Sequence, residues 1–105
     1  MKLLTAEIIK KARAQYRRGS SMKQNVVAKF FSPSSNWTWY MMNLGEDLDY
    51  AWGIVQGFEL EMGSFLISEL QKIKGQFGLG IERDLYFKSR PAEEIWKELQ
   101  EGKHV

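Results

Sequence analysis

From Tyr50 to Phe58 the chain alternates bulk with near absence of bulk: Tyr50, Trp52, Ile54 and Phe58 are interleaved with Ala51, Gly53, Val55 and Gly57. A period of two belongs to a strand, whose successive side chains point to opposite faces of a sheet. The large side chains then share one face, and the bare face lets another backbone approach closely. Such a strand needs partners, and the flanking sequence supplies them. Val26 to Phe31 is β-branched and aromatic, Ser32-Pro33-Ser34-Ser35-Asn36 breaks it, and Trp37 to Asn43 is a second run of strand length. The two runs read as an antiparallel hairpin. Met62-Gly63 allows a turn into a fourth strand, Ser64 to Ile67, and Ile81 to Phe87 reads as a fifth.

Helical periodicity lies outside and between these runs. Thr5 is an N-cap residue and Gly19 a stop, so Thr5 to Arg18 reads as one helix. At about 100° per residue, Ile8, Ile9, Ala12 and Tyr16 form its apolar face. Ser68 with Gln71 matches a capping box and predicts a short helix from Glu69 to about Lys74, ended by Gly75. Pro91 opens a last helix in which Ala92, Ile95, Trp96 and Leu99 make one stripe, ended by Gly102. With 105 residues this is one domain of the α+β class. The expected fold is a mainly antiparallel sheet of four or five strands flanked by an N-terminal and a C-terminal helix. Its parts are a basic amphipathic helix within 1–19, a sheet over 26–87 with a short helix near 69–74, and a C-terminal helix over 91–102.

Several kinds of chemistry lack their residues. The chain has no cysteine and one histidine, His104, so thiolate metal sites, zinc sites and histidine-dependent triads have no ligands or bases. Gly78-Leu79-Gly80 lacks the third glycine of a dinucleotide loop, and no Gly-Lys-Ser or Gly-Lys-Thr phosphate loop occurs. The longest uninterrupted apolar run is Trp39 to Met42, against the roughly 20 residues of a membrane helix. Glu7, Lys10 and Lys11 interrupt the place of a signal-peptide core. The expectation is a cytoplasmic protein with no catalytic residues, cofactor, metal or membrane contact. Glu82 and Asp84, on one strand face with Arg83 opposite, could hold Mg²⁺; structural ion pairs use carboxylates in the same way. Glu59 and Glu61 form a similar pair.

What remains is binding. Residues 1 to 31 hold eight bases and one acid, a net of +7, and the remainder holds seven bases and twelve acids, a net of −5. Lys10, Lys11, Arg13, Arg17 and Arg18 on the first helix are candidates for nucleic acid or an acidic partner, unless that helix lies on its own acidic domain. Asn36, Trp37, Trp39 and Tyr40 are candidates for an interface or for stacking unpaired bases. In a strand, Trp37, Trp39 and Met41 share one face while Thr38, Tyr40 and Met42 share the other, so part of this set must be core. Glu82, Arg83 and Asp84 complete the interface candidates.

The order of several segments adds a family resemblance. Lys29-Phe30-Phe31-Ser32-Pro33 followed by Thr38-Trp39, then Trp52-Gly53-Ile54, Glu61-Met62-Gly63, Ser68-Glu69-Leu70, Gly78-Leu79 and Ile81-Glu82-Arg83-Asp84-Leu85-Tyr86-Phe87 resemble a family of small bacterial proteins known as domain of unknown function number 2958. The resemblance spans Lys29 to Phe87, and Met1 to Glu7 is similar to the family's opening. It implies a setting on plasmids, integrative elements and phages, near conjugation and anti-restriction genes, and it implies no established activity. The chain departs from the pattern at Gly80, where a proline is expected, and at Asn43, where many members have an acidic residue. The functional expectation is an accessory or binding protein of a mobile element that contacts a host or element-encoded protein, with counter-defence as one setting. The competing expectation is a nucleic-acid binder that uses the basic helix and the aromatic strand.

Overall fold

A Cβ on Gly53 would lie 2.1 Å from the Tyr40 carbonyl oxygen, so the bare face of the Tyr50 run is where a neighbouring backbone comes close. A computed structural model of the chain describes residues 2–105; Met1, in the basic segment, lies outside them. In chain order the elements are α1 (Ala6–Ala14), β1 (Asn25–Val26), β2 (Ala28–Phe31), β3 (Thr38–Leu44), β4 (Tyr50–Gln56), β5 (Leu60–Leu66), α2 (Ile67–Lys72), β6 (Glu82–Arg83), β7 (Arg90–Pro91) and α3 (Ala92–Gln100). The main sheet is five-stranded in the order β5-β4-β3-β2-β6, antiparallel throughout, and β1 with β7 forms a second, two-stranded sheet. The α+β class and the flanking terminal helices are as the periodicities indicate.

The sheet is covered on both faces. Trp39, Met41 and Leu44 of β3 pack with Ala12 of α1 and with Ile67 and Leu70 of α2. Tyr40 and Met42 pack with Ala92, Ile95 and Leu99 of α3. This division of β3 follows the period of two until the register shifts between Met41 and Asn43. Buried Asn43 then donates from Nδ2 to the Gly19 carbonyl at 2.8 Å and to Gln24 Oε1 at 3.0 Å. Two acceptors face this side chain, an arrangement that suits the amide and not the carboxylate expected of the family.

Five boundaries differ from the sequence reading, each for a tertiary reason. The first α-helix stops at Ala14 rather than Arg18, and Tyr16–Arg18 is a single 3-10 turn. Gln15 turns its amide to Asn25, with Nε2 to Asn25 O at 2.9 Å and Asn25 N to Oε1 at 2.9 Å, and also reaches Met42 O at 2.7 Å. The Val26–Phe31 run splits into β1 and β2, because Val26 pairs with Arg90 whereas Ala28 pairs with Met41. The fourth strand runs unbroken from Leu60 through Met62-Gly63 to Leu66, and the turn lies earlier, where Gly57 N donates to Glu59 O at 3.0 Å. Ser68 is not a cap but a first-turn residue of α2; its amide and hydroxyl donate to the Asp49 carboxylate at 2.7 and 2.9 Å. The fifth strand is only Glu82–Arg83, because Asp84 closes a turn by accepting from Tyr86 N at 2.9 Å and Phe87 N at 3.3 Å. Among the described residues no helix is long and apolar enough to cross a membrane.

Candidate functional site

Register places three loops at one end of the main sheet. Phe31 pairs with both Thr38 and Glu82, Thr38 with Gln56, and Gln56 with Leu60. The 32–37 turn, the 57–59 turn and the 73–80 loop that leads into β6 therefore crowd together. Their contacts are close: a Cβ on Gly57 would lie 2.3 Å from the Trp37 ring, and one on Gly75 would lie 1.8 Å from Ser34 Oγ. Trp37 lies between core and surface, stacked on Trp39 at 5.9 Å and 28° and edge-on to Phe58 at 5.4 Å and 82°.

Phe58 is 94% exposed and Phe77 is 96% exposed. Phe77 sits at φ 59°, ψ 22° in the tip of the 73–80 loop, which is closed by Gly75 N donating to Leu79 O at 2.7 Å and by a bridge between Lys74 and Gly80. The left-handed region is costly for a bulky residue, and such strain gathers at functional positions. An aromatic side chain held fully in water by a strained backbone gains nothing for the fold. Its energetic use arises when a partner covers it, as buried aromatics dominate interfaces.

Behind this end, on the α3 side, an open cleft of about 670 Å³ is lined by Lys29, Trp37, Tyr40, Asp84 and His104 among others. Lys29 Nζ lies 3.6 Å from Asp84 Oδ2, 5.8 Å from the Tyr40 ring centre, and donates to the Val105 main-chain oxygen. The Tyr40 hydroxyl donates to the same oxygen at 3.3 Å. Burial, and then the charge of Asp84, push the Tyr40 phenol up to about 12. Lys29, Tyr40 and Asp84 thus fasten the 102–105 segment over the sheet.

The sequence candidates separate in the structure. Of the five bases, Arg13 donates to Leu44 O at 2.8 Å and stacks 5.1 Å from the Tyr16 ring, and Arg18 donates to Lys23 O. Lys11 makes an exposed pair with Glu7 at 3.2 Å, while Lys10 and Arg17 stand exposed. Arg13 and Arg18 thus each give one guanidinium N–H to a main-chain carbonyl and keep their remaining donors, and four of the five bases are exposed. Trp39 and Tyr40, expected at an interface or stacking platform, are 6% and 2% exposed and belong to the core on opposite faces. Asn36 is exposed and Trp37 half-buried at the loop end.

Glu82 and Asp84 share a sheet face by alternation, but Asp84 is engaged by Lys29, and Arg83 donates to Lys2 O at 2.7 Å on the other side. Among the described residues, no three His, Cys, Asp or Glu side chains gather as a cation site. Sequence reasoning missed Phe58 and Phe77. A lone aromatic set among Gly75, Gly78 and Gly80, or directly after Gly57, was the available signal.

Fold and surface define a small α+β protein built on a five-stranded antiparallel sheet, with exposed aromatic side chains on the loops at one end of it. The chain belongs to the family of proteins of unknown function DUF2958, whose pattern covers residues 3–103. That match extends the resemblance read between Lys29 and Phe87 to nearly the whole chain. No curated protein and no solved structure matches it.

Proposed function

We propose that this is a non-catalytic binding protein of the bacterial cytoplasm, an accessory of a mobile genetic element that acts by gripping a host or element-encoded protein through its loop end. The observation that carries the reading is Phe77, fully exposed and held at positive φ in a loop at the same end of the sheet as the exposed Phe58, which packs edge-on against half-buried Trp37. Exposed aromatic anchors at one end of the sheet suit a protein partner, because burying such residues on contact contributes most of an interface's energy. Of the two carboxylates that looked most like a reactive pair, Asp84 has a structural use in its ion pair with Lys29.

The second reading is a nucleic-acid binder using the bases of α1 and the 3-10 turn after it. Lys10, Lys11 and Arg17 favour it, being exposed on one basic segment. With Lys10, Lys11 and Arg17 alone on phosphates, its log K against log salt slope on duplex DNA would be about −3, steepening as Arg13 and Arg18 join.

One experiment separates the two. Tagged wild-type protein is recovered from its native host with and without nuclease, beside a variant carrying Phe58→Ser and Phe77→Asn. Asparagine accepts the left-handed conformation, so this variant keeps its fold. A protein partner that survives nuclease and is lost with the variant is the expected result. Partners that vanish with nuclease, together with a gel shift removed by Lys10→Glu and Arg17→Glu, would install the second reading instead.

A further inference from the structure

The two edges of the main sheet are not alike. β6 is two residues long and turns away at Asp84, which is one way proteins blunt an edge. β5 is seven residues, Leu60 to Leu66, with no lysine, no proline and no register shift along its pairing with β4. Gly57 N bonds to Glu59 O and Ile67 N to Asp49 O at the two ends of that pairing. The odd-numbered residues of β5 therefore bond to β4, and Leu60, Met62, Ser64 and Leu66 turn their N–H and C=O groups outward. Among the described residues no strand pairs with them.

Gly63, at the centre of this edge, has no explanation within one chain. Gly53 and Gly57 are each pressed by a neighbour, whereas a Cβ on Gly63 would meet nothing within 4 Å, and its φ is not positive. Glycine weakens a strand interior and marks the places where another backbone approaches. Leu60 and Leu66 lie three residues to either side of it. A two-fold axis through Gly63 would set Leu60 against Leu66, Met62 against Ser64 and Glu61 against Phe65. No like charges then oppose each other, whereas an axis at Glu61 would set that carboxylate against its own copy. In this register Gly63 meets Gly63 at a non-hydrogen-bonded position, where the α-carbons approach to about 4.5 Å and side chains crowd most. On the α3 face, half-buried Trp52, Leu60, Met62 and Trp96 reach toward the same edge, so a second sheet would continue their apolar layer.

We infer that the free edge of β5 is a self-association surface, and that its partner is a second copy of this chain paired antiparallel about Gly63 into one continuous ten-stranded sheet. The inference stands apart from the proposed function. The antiparallel pairing sends the two Phe58 loop ends in opposite directions along the strands, leaving both free for partners.

Sedimentation equilibrium and cysteine cross-linking test it. The wild type is expected at 24.6 kDa, twice the 12.3 kDa chain mass. Gly63→Lys has room in the single chain but sets two ammonium groups face to face at the axis, and Ser64→Pro removes an outward N–H that β4 does not use. Both variants are expected to sediment as folded monomers. Because the chain has no cysteine, Gly63→Cys places one thiol per copy at a separation that a disulfide spans, while Glu61→Cys places the two about 14 Å apart, beyond disulfide reach. Rapid oxidation to a linked dimer is expected for Gly63→Cys and not for Glu61→Cys. A wild type that stays monomeric at its highest soluble concentration, or Glu61→Cys cross-linking as fast as Gly63→Cys, overturns the inference.

Discussion

Lys29 reaches across 76 positions of sequence to donate its ammonium proton to the main-chain oxygen of Val105, and in doing so holds the segment after α3 against the sheet. The residue sits in β2 with its side chain largely enclosed, Asp84 on one side and the Tyr40 ring on another. A hydrogen bond with a charged donor contributes about 1.5–3 kcal/mol, and leaving a buried partner unpaired costs on the same scale. Lys29→Met retains most of the stem and removes the donor. It is expected to lower unfolding free energy by about 2 kcal/mol, and to increase hydrogen exchange at residues 102–105, both read on the folded protein at neutral pH.

Tyr40 provides a pH signature of the same contact. Its phenol is raised from 10.0 to about 12 by burial and by Asp84. The folded state therefore keeps its proton where the unfolded chain has lost it. The associated stability is fully present below pH 10 and is lost as pH rises toward 12. A shift of two units corresponds to about 3 kcal/mol. Urea titrations at successive pH values between 9 and 12 are expected to show this loss in the wild type and a flatter profile in Tyr40→Phe, which has no phenol to ionise.

Gly53 and Gly63 pair with each other across β4 and β5 yet make opposite demands. A Cβ at position 53 meets the Tyr40 carbonyl oxygen at 2.1 Å, in the middle of the sheet where backbone cannot retreat, whereas position 63 is open. Gly53→Ala is expected to cost more than about 3 kcal/mol, while Gly63→Ala changes the stability of the single chain by less than about 1 kcal/mol. Denaturant midpoints at concentrations where the chain is monomeric measure both.

These glycines also mark how far the sequence could be read. Alternation identified β4 and the close approach at Gly53, because both depend on neighbours in the chain. The helical stripes of α1 and α3 were legible for the same reason. The end of α1 was not, since it depends on Gln15 finding Asn25 and Met42, residues brought near only by folding. The shortness of β6 depends likewise on Asp84 capping its own turn and meeting Lys29. The period of two gave the opposite faces of Trp39 and Tyr40 but not that both faces would be covered, which needs the helices on either side. Phe58 and Phe77 escaped because an isolated aromatic among glycines has no period, and its exposure is a property of three loops meeting.

Asn43 stands where the family resemblance leads one to expect an acidic residue, and its surroundings predict what a carboxylate there would do. Its Nδ2 donates to the Gly19 carbonyl and to Gln24 Oε1, and the Gln24 amide nitrogen is itself held by the Gly19 and Ser21 carbonyls at 3.0 and 2.6 Å. The pocket presents acceptors, so an ionised aspartate would face like partial charge with no solvent to screen it. Asn43→Asp is expected to cost about 2–4 kcal/mol at pH 7, the scale of a buried charge left unpaired. Burial and the facing acceptors would both raise its folded pKa above the ordinary aspartate value. The protonated acid can donate as the amide does, so the loss should be greatest at neutral pH and shrink as pH falls toward 4. Thermal unfolding of wild type and Asn43→Asp at pH 4.5 and pH 7 measures it; a deficit equal at both pH values would show that the site does not discriminate donor from charge.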